Sequence, residues 1–557
     1  MNELLAAAIR LAPEIDMLAA SLLAGLASLI WKNRHATRVR IGLTIAVVVV
    51  LACVAELSTS WLEGGTYFEG GNPVLPEMAA LVAAAVWILW SSKESTTSSP
   101  MPVMLAIVGI ALVTYRVFDN PRAFDAGIVQ SLFADADGEG RLMRIDAFTT
   151  YCRLLLVSSS ALCVFVELTR PAAVRASRSL DDSTTVRLSS VARILSAHAA
   201  AMTIVATEHA VVAGSAVIAL GFSSRSSGRV ALVTRVVASA AVVFAIVGIA
   251  DFAEAYSYDE IAFAWDRAAL AGELPASFKS SIVIGGIGVV WLTLCGGGRV
   301  RARNDQRSSA GLAMILSPIV FSALTLRIAL AMSGTIVVAP FAHEAFCLIA
   351  ASALGLASTA FVLRVSRAVP VRQDAVWFAR KSLCLGLVFF AMSGFFEFTT
   401  SSDGTIDSSH ARDTATIAVL IQLVAWVIAI GGLLLCRELN AVLSNTRRHV
   451  VAYLSASIGA LPLSVGFVAL VWIARLGIGS AIPTWVGGLA ALALASSCFA
   501  AFENENRTTP VASNAGRSTE FATTGFAVIL AIASVTLFFA SDVVVAFAKT
   551  AAFGLRL

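Results

Sequence analysis

Residues 457–470 read Ser-Ile-Gly-Ala-Leu-Pro-Leu-Ser-Val-Gly-Phe-Val-Ala-Leu, inside a longer apolar run at 450–473. Pro462 removes a main-chain donor and its ring clashes with the preceding turn, so a helix through this run must kink or break. In hydrocarbon, a broken helix is tolerated only where protein or a water-filled cavity surrounds it. Interrupted spans of this kind often mark transport sites. Yet 455–473 contains no ionisable residue. The stretch has the form of a transport helix and lacks a group to carry an ion.

The rest of the chain is equally apolar. Its 557 residues are 58% hydrophobic and only 14% charged, with a mean hydropathy of +0.83. This composition excludes an ordinary soluble globule and indicates a polytopic membrane protein. A crossing helix needs about 20 apolar residues. Runs of that kind fall near 15–31, 39–57, 77–91, 101–118, 147–168, 189–206, 208–221, 230–252, 280–296, 310–332, 342–364, 376–397, 414–436, 449–473, 481–502 and 521–547. The expected fold class is therefore all-α, with about sixteen transmembrane helices and broken helices near 280–296 and 449–473.

Loop charges orient the spans. Basic residues collect on the cytoplasmic side, as at 32–40, at 169–187 with Arg170, Arg175, Arg178 and Arg187, and at 223–229, 299–307, 364–381 and 437–448. Acidic loops alternate with them: 57–77 with Glu63, Glu69 and Glu77, then 119–146, 253–277 and 399–413. The alternation puts both termini on the outer side. The N-terminus lacks the basic region of a cleavable signal, so the first span is expected to be retained.

Chemistry-bearing motifs are sparse. The eight cysteines, Cys53, Cys152, Cys163, Cys295, Cys347, Cys384, Cys436 and Cys498, include no C-x-x-C pair, so no zinc or iron–sulfur site is indicated. Gly285, Gly286 and Gly288 lie within a span, without a preceding strand or a phosphate-loop Lys, and suit close helix packing better than nucleotide binding. No catalytic, metal or cofactor-binding residue emerges, and nothing indicates nucleic acid.

Several motifs, in order, resemble the N subunit of NADH-quinone oxidoreductase (respiratory complex I), an antiporter-like membrane subunit. Ser457, Pro462, Gly466 and Phe467 match the signature S-L-A-G-I-P-x-x-x-G-F in register. Leu75-Pro76-Glu77-Met78 resembles the family's opening L-P-E-[IM]. Arg144-Ile145-Asp146-Ala147-Phe148 resembles V-D-x-F at the third family helix, and 226–241 resembles the sixth. Gly286-Ile287-Gly288 resembles G-x-G in the seventh. Ser317-Pro318-Ile319 with Leu326-Arg327 resembles A-P-K…L-R in the eighth, and 379–386 resembles the tenth. The resemblance implies an antiporter-like core over 75–557, of about fourteen helices with two inverted repeats of about five. It leaves 1–60 as an extra N-terminal two-helix hairpin.

The departures are informative. The resemblance places the ionisable positions of a proton path at or near Val217, Val233, Val290, Ile319 and Leu470, all aliphatic here. A proton relay needs titratable groups, and Val, Ile and Leu have none. The resemblance thus implies a non-catalytic membrane-arm subunit of a complex I-like NADH:quinone oxidoreductase, structural or coupling, with a degenerate proton channel. It would hold no cofactor. Its partners would be other membrane-arm subunits and lipids, with quinone bound only in those subunits, in a bacterial inner membrane. The alternative is proton translocation, in complex I or a cation/proton antiporter assembly, along a residual polar path of Arg235, Arg327 and Glu397. A third reading is a free-standing transporter of a non-ionic substrate.

The remaining polar residues have plainer readings. Arg235 substitutes for a lost Lys or snorkels to the cytoplasmic face. Arg327 suits a helix–helix or headgroup contact, and His198 an interhelical hydrogen bond. Glu208-His209 and His343-Glu344 read as solvated pairs near helix ends, Asp251 as wet, and Glu397 as interfacial.

Overall fold

The computed structural model describes residues 130–132, 143–168, 197–198, 200–223, 229–253, 257–258, 260–261, 276–295, 307–332, 338–366, 373–396, 399–400, 406–407, 409–437, 445–479, 483–506 and 517–556. The expected N-terminal hairpin at 1–60, the spans expected up to 118, and Glu397 lie outside the described residues. The described chain is a helical membrane bundle. A short antiparallel ribbon, β1 (Gln130–Leu132) and β2 (Met143–Ile145), leads into α1 (Ala147–Leu168). Then follow α2 (Ala210–Ser223), α3 (Arg229–Ala253), α4 (Ala276–Cys295), α5 (Arg307–Met332), α6 (Val338–Ser366) and α7 (Gln373–Ser393). A 3-10 turn, Gly394–Phe396, and a two-residue ribbon, β3 (Thr399–Thr400) with β4 (Ile406–Asp407), connect to α8 (Ser409–Arg437).

The last five helices are α9 (Asn445–Ile458), α10 (Val465–Gly479), α11 (Thr484–Asn506), α12 (Arg517–Phe539) and α13 (Ser541–Arg556). Five of the described helices, or six spans if one bent pair counts as one, are long and apolar enough to cross a membrane. Shorter apolar helices cover Ala210–Gly221, Phe278–Leu294, Ile315–Leu330 and Val465–Leu476.

Helix α8 is the axis. It is apolar all round, as a helix surrounded by other helices should be, and it packs against α1, α5, α7, α9, α10, α12 and α13. Trp426 at its middle is buried, as are Leu420, Ile421, Leu423 and Ile430. Peripheral helices keep an apolar outer face, for example Phe244 on α3, Trp291 on α4 and Phe499 on α11. That is the expected exterior where the surrounding medium is lipid.

The break at 457–470 is present. Helix α9 ends at Ile458 and α10 starts at Val465. Between them Ala460 and Leu463 take positive φ, 61° and 66°, which is unfavourable for residues with a Cβ. The freed main-chain groups find partners within the protein. Leu461 N donates to Ala456 O at 3.2 Å and Phe467 N to Ser464 O at 3.0 Å. Tyr453 Oη donates to Leu463 O at 2.8 Å, and Val465 N to Ser534 Oγ of α12 at 3.4 Å. This is the internal satisfaction that non-helical chain needs at membrane depth. Gly466 makes the closure, because a Cβ there would collide with the Ser457 carbonyl oxygen.

Two expectations change. The break expected near 280–296 is absent: α4 is continuous from Ala276 to Cys295. It contains no proline, and its glycines serve contact with neighbouring helices. A Cβ on Gly285 would press on Ala245, one on Gly288 on Val242 and the Ala238 carbonyl, and one on Gly286 on Ile349. Conversely, the run expected as one span at 521–547 is bent by 82° between α12 and α13. Ala540 N closes α12 on Thr536 O at 2.8 Å, while Val543 N starts α13 on Ala540 O at 3.0 Å. Ser541 and Asp542, good helix-starting residues, open the second helix.

Substituting Gly466→Ala is expected to destabilise the protein by about 1–3 kcal/mol, the range for overpacking. Gly487→Ala, on an open face of α11, is expected to have little effect. Thermal unfolding of both variants in detergent checks the contrast.

Candidate functional site: a buried charge cluster

The described residues concentrate their buried charge where α1 begins. Arg144 is the middle residue of β2, and Asp146 precedes the first residue of α1. Asp146 caps that helix: Thr149 N donates to its Oδ1 at 2.6 Å. Its other oxygen, Oδ2, lies 3.0 Å from Arg144 Nε and 3.6 Å from an Arg327 terminal nitrogen. Arg327 comes from α5. It donates to Thr149 Oγ1 at 2.7 Å and stacks over Phe148 at 5.4 Å from the ring centre.

Glu208 completes the cluster. It sits in a non-helical interruption between the helical residues 200–206 and α2. An isolated bridge between His209 and Ser257, with Tyr258 N donating to Glu208 O at 3.0 Å, fixes this turn. The Glu208 carboxylate accepts from Arg144 at 3.1 Å and lies 3.7 Å from Arg327. The remaining Arg144 nitrogen donates to the Gly554 carbonyl at 3.2 Å, near the C-terminal end of α13. A helix C-terminus carries unsatisfied carbonyls and partial negative charge. Arg144 answers both. Gly554 permits the approach, since a Cβ would stand 2.9 Å from Ala147 Cβ.

Two guanidinium groups thus face two carboxylates, and the cluster is formally neutral. Each carboxylate is held by both arginines. The groups are well placed to tie α1, the 208 turn, α5 and α13 together.

Other buried polar contacts are separate. Lys381 of α7 is 2% exposed and donates to Thr293 O at 3.1 Å, in the last turn of α4. Arg380 donates to Ser455 Oγ at 2.8 Å and stacks on Trp377 at 4.9 Å. His343 Nδ1 lies 2.9 Å from Ser393 O. His198 is buried, 2% exposed. Asp251 and Glu344 are exposed. Among the described residues no group of acids, histidines and cysteines could hold a metal ion.

The expected proton-path positions differ in exposure. Val217 and Ile319 are wholly buried in the apolar core, and Val290 and Leu470 are half-buried against other helices. Val233 is 59% exposed and points out of the bundle, whereas Arg235, two positions on, is 2% exposed. Snorkelling of Arg235 to an open face is therefore corrected: the α3 surface it occupies packs inward. The largest correction concerns Glu208, expected as a solvated group and found 2% exposed between two arginines. The turn joining its flanking helices is so short that neighbouring helices enclose it. Arg327 makes the helix–helix contact expected of it. Arg144, Asp146 and Lys381 were not foreseen as site residues. Their one local signal was Asp146 immediately before an apolar run, the mark of a helix cap.

Removing one acid should cost more than removing a matched pair. Glu208→Gln is expected to destabilise by about 3–5 kcal/mol, the cost of breaking a buried pair. Arg144→Met with Glu208→Leu together is expected to recover part of that loss. A double-mutant cycle on thermal unfolding measures the difference.

No protein-family model matches the sequence, and no curated protein matches it. Solved structures do. A chain of the Mrp complex from Dietzia sp. aligns with a TM-score of 0.60 at 12% identity, over 99% of this chain and 98% of that one. A chain of respiratory complex I from Thermus thermophilus with bound NADH aligns at 0.58 and 14% identity, covering 87% and 99%. A chain of the membrane-bound sulfane sulfur reductase, an archaeal respiratory membrane complex, aligns at 0.58 and 11%, covering 87% and 97%. At such identity the likeness is one of fold. This integral membrane chain shares its fold with chains of the Mrp complex, of respiratory complex I and of the membrane-bound sulfane sulfur reductase.

Proposed function

We propose that this chain is an N-subunit-like component of the membrane arm of a complex I-like assembly, structural or coupling in role, with a degenerate proton channel. The observation that carries this reading is the aliphatic burial at two of the five expected relay positions. Val217 and Ile319 fill the core without a titratable group. The two acids in the charge cluster are already each committed to two arginines. Such a subunit braces its neighbours and passes on their motion, and oxidation of NADH and reduction of quinone belong to partner subunits. The bilayer would be a bacterial inner membrane, with both termini outside.

A second reading, proton translocation through substitute groups, draws support from the buried cations Arg235 and Lys381. In water-poor surroundings such cations often belong to ion pathways.

The first reading expects this chain to co-purify in mild detergent with other membrane-arm subunits; isolation as a lone monomer would overturn it. In vesicles holding the co-purified assembly, Arg235→Leu and Lys381→Met are expected to leave proton movement per turnover unchanged at equal assembly. A loss in either variant supports the second reading instead.

A further inference from the structure

Helix α10 carries Trp472, and two cations converge on its indole. The Arg475 guanidinium carbon lies 5.2 Å from the ring centre, and the Lys549 ammonium, arriving from α13, lies 6.0 Å from it. Both cations are exposed, and Trp472 is half-buried. Among the described residues neither cation has an ion-pair partner. Two like charges held beside one ring repel each other, and an anion between or across them relieves that repulsion.

The surroundings point to which anion. Helix α13 turns 82° away from α12 and is amphipathic. Val544, Ala548, Ala551, Ala552 and Leu555 face the core, while Lys549 faces outward. On the same two helices, Val471 of α10 and Val543 and Phe553 of α13 are exposed and apolar. A Trp, two cations and exposed aliphatic and aromatic side chains are the combination that meets a lipid at the level of its headgroup.

We propose that Trp472, Arg475 and Lys549 form a headgroup site for an anionic phospholipid. The two cations take the phosphate, the indole holds their side chains in place, and the acyl chains run along Val471, Val543 and Phe553. Trp472, Arg475 and Lys549 are not members of the charge cluster, and the site does not depend on the proposed role of the chain.

The test uses the purified chain with whatever co-purifies, reconstituted in vesicles. Quenching by brominated-tail phosphatidylglycerol is compared with quenching by brominated-tail phosphatidylcholine. Subtraction of the Trp472→Phe signal isolates the indole in question. Phosphatidylglycerol is expected to quench Trp472 preferentially, with the preference falling about fivefold for each cation removed in Arg475→Gln and Lys549→Gln. It is expected to persist in the Arg475→Lys, Lys549→Arg double variant. Equal quenching by the two lipids, or an undiminished preference in the double Gln variant, would overturn the proposal. Displacement of phosphatidylglycerol by inorganic phosphate would reassign the site to a free anion and overturn it likewise. Native mass spectrometry of the retained phosphatidylglycerol gives the same comparison for the Gln variants without the Trp472→Phe protein.

Discussion

Charge buried among apolar helices must be paired, because each ion leaves water at a cost of several kcal/mol. Arg144, Asp146, Glu208 and Arg327 meet that constraint together. Their pairing dictates where four parts of the chain can lie. Asp146 sets the start of α1, Arg327 fixes the rotation of α5, and Glu208 holds the interruption before α2 inside the bundle. Arg144 seats the end of α13 against α1. The cap, the ion pairs and the helix-end contact use the same few groups, so none of these features is independent of the others.

A second constraint concerns the main chain. Wherever a helix stops at membrane depth, its freed N–H and C=O groups need partners from protein. The break between α9 and α10 obtains them from Tyr453, Ser464 and Ser534. Cys498 of α11 adds a weak contact, its sulfur 3.6 Å from Gly459 O. Helices α11 and α12 therefore complete the break as much as Pro462 causes it. Helix α12 then bends at Ala540, and the turned helix α13 returns to the charge cluster. The break and the cluster are joined through the C-terminal helices.

The geometry also separates two properties that one motif combines. A break in a helix is a matter of backbone sterics and hydrogen bonding, and this chain keeps it without an ionisable residue on the broken segment. Buried charge is a matter of pairing and hydrogen bonding, and it lies elsewhere, around the start of α1, in the turn before α2, and on α3, α5 and α7. The fold accommodates either feature without the other.

By itself the sequence determined the membrane class and the positions of several of the described helices. The apolar run expected at 147–168 is α1 from Ala147 to Leu168, and the one at 310–332 differs from α5 by only a few residues at its start. Length and hydropathy are properties of contiguous residues, so a linear reading reaches them. Pro462 was legible for the same reason, since its clash is with its own preceding turn. Tertiary structure decided which way each residue faces and what it meets. Val233 and Arg235 differ in environment through helix rotation, Gly285–Gly288 serve packing because Ala245 and Val242 lie opposite, and Glu208 is buried because arginines from elsewhere enclose it. The bond from Arg144 to Gly554 joins residues 410 positions apart. No periodicity along the chain encodes such a distance; only the packed helices bring its two ends together.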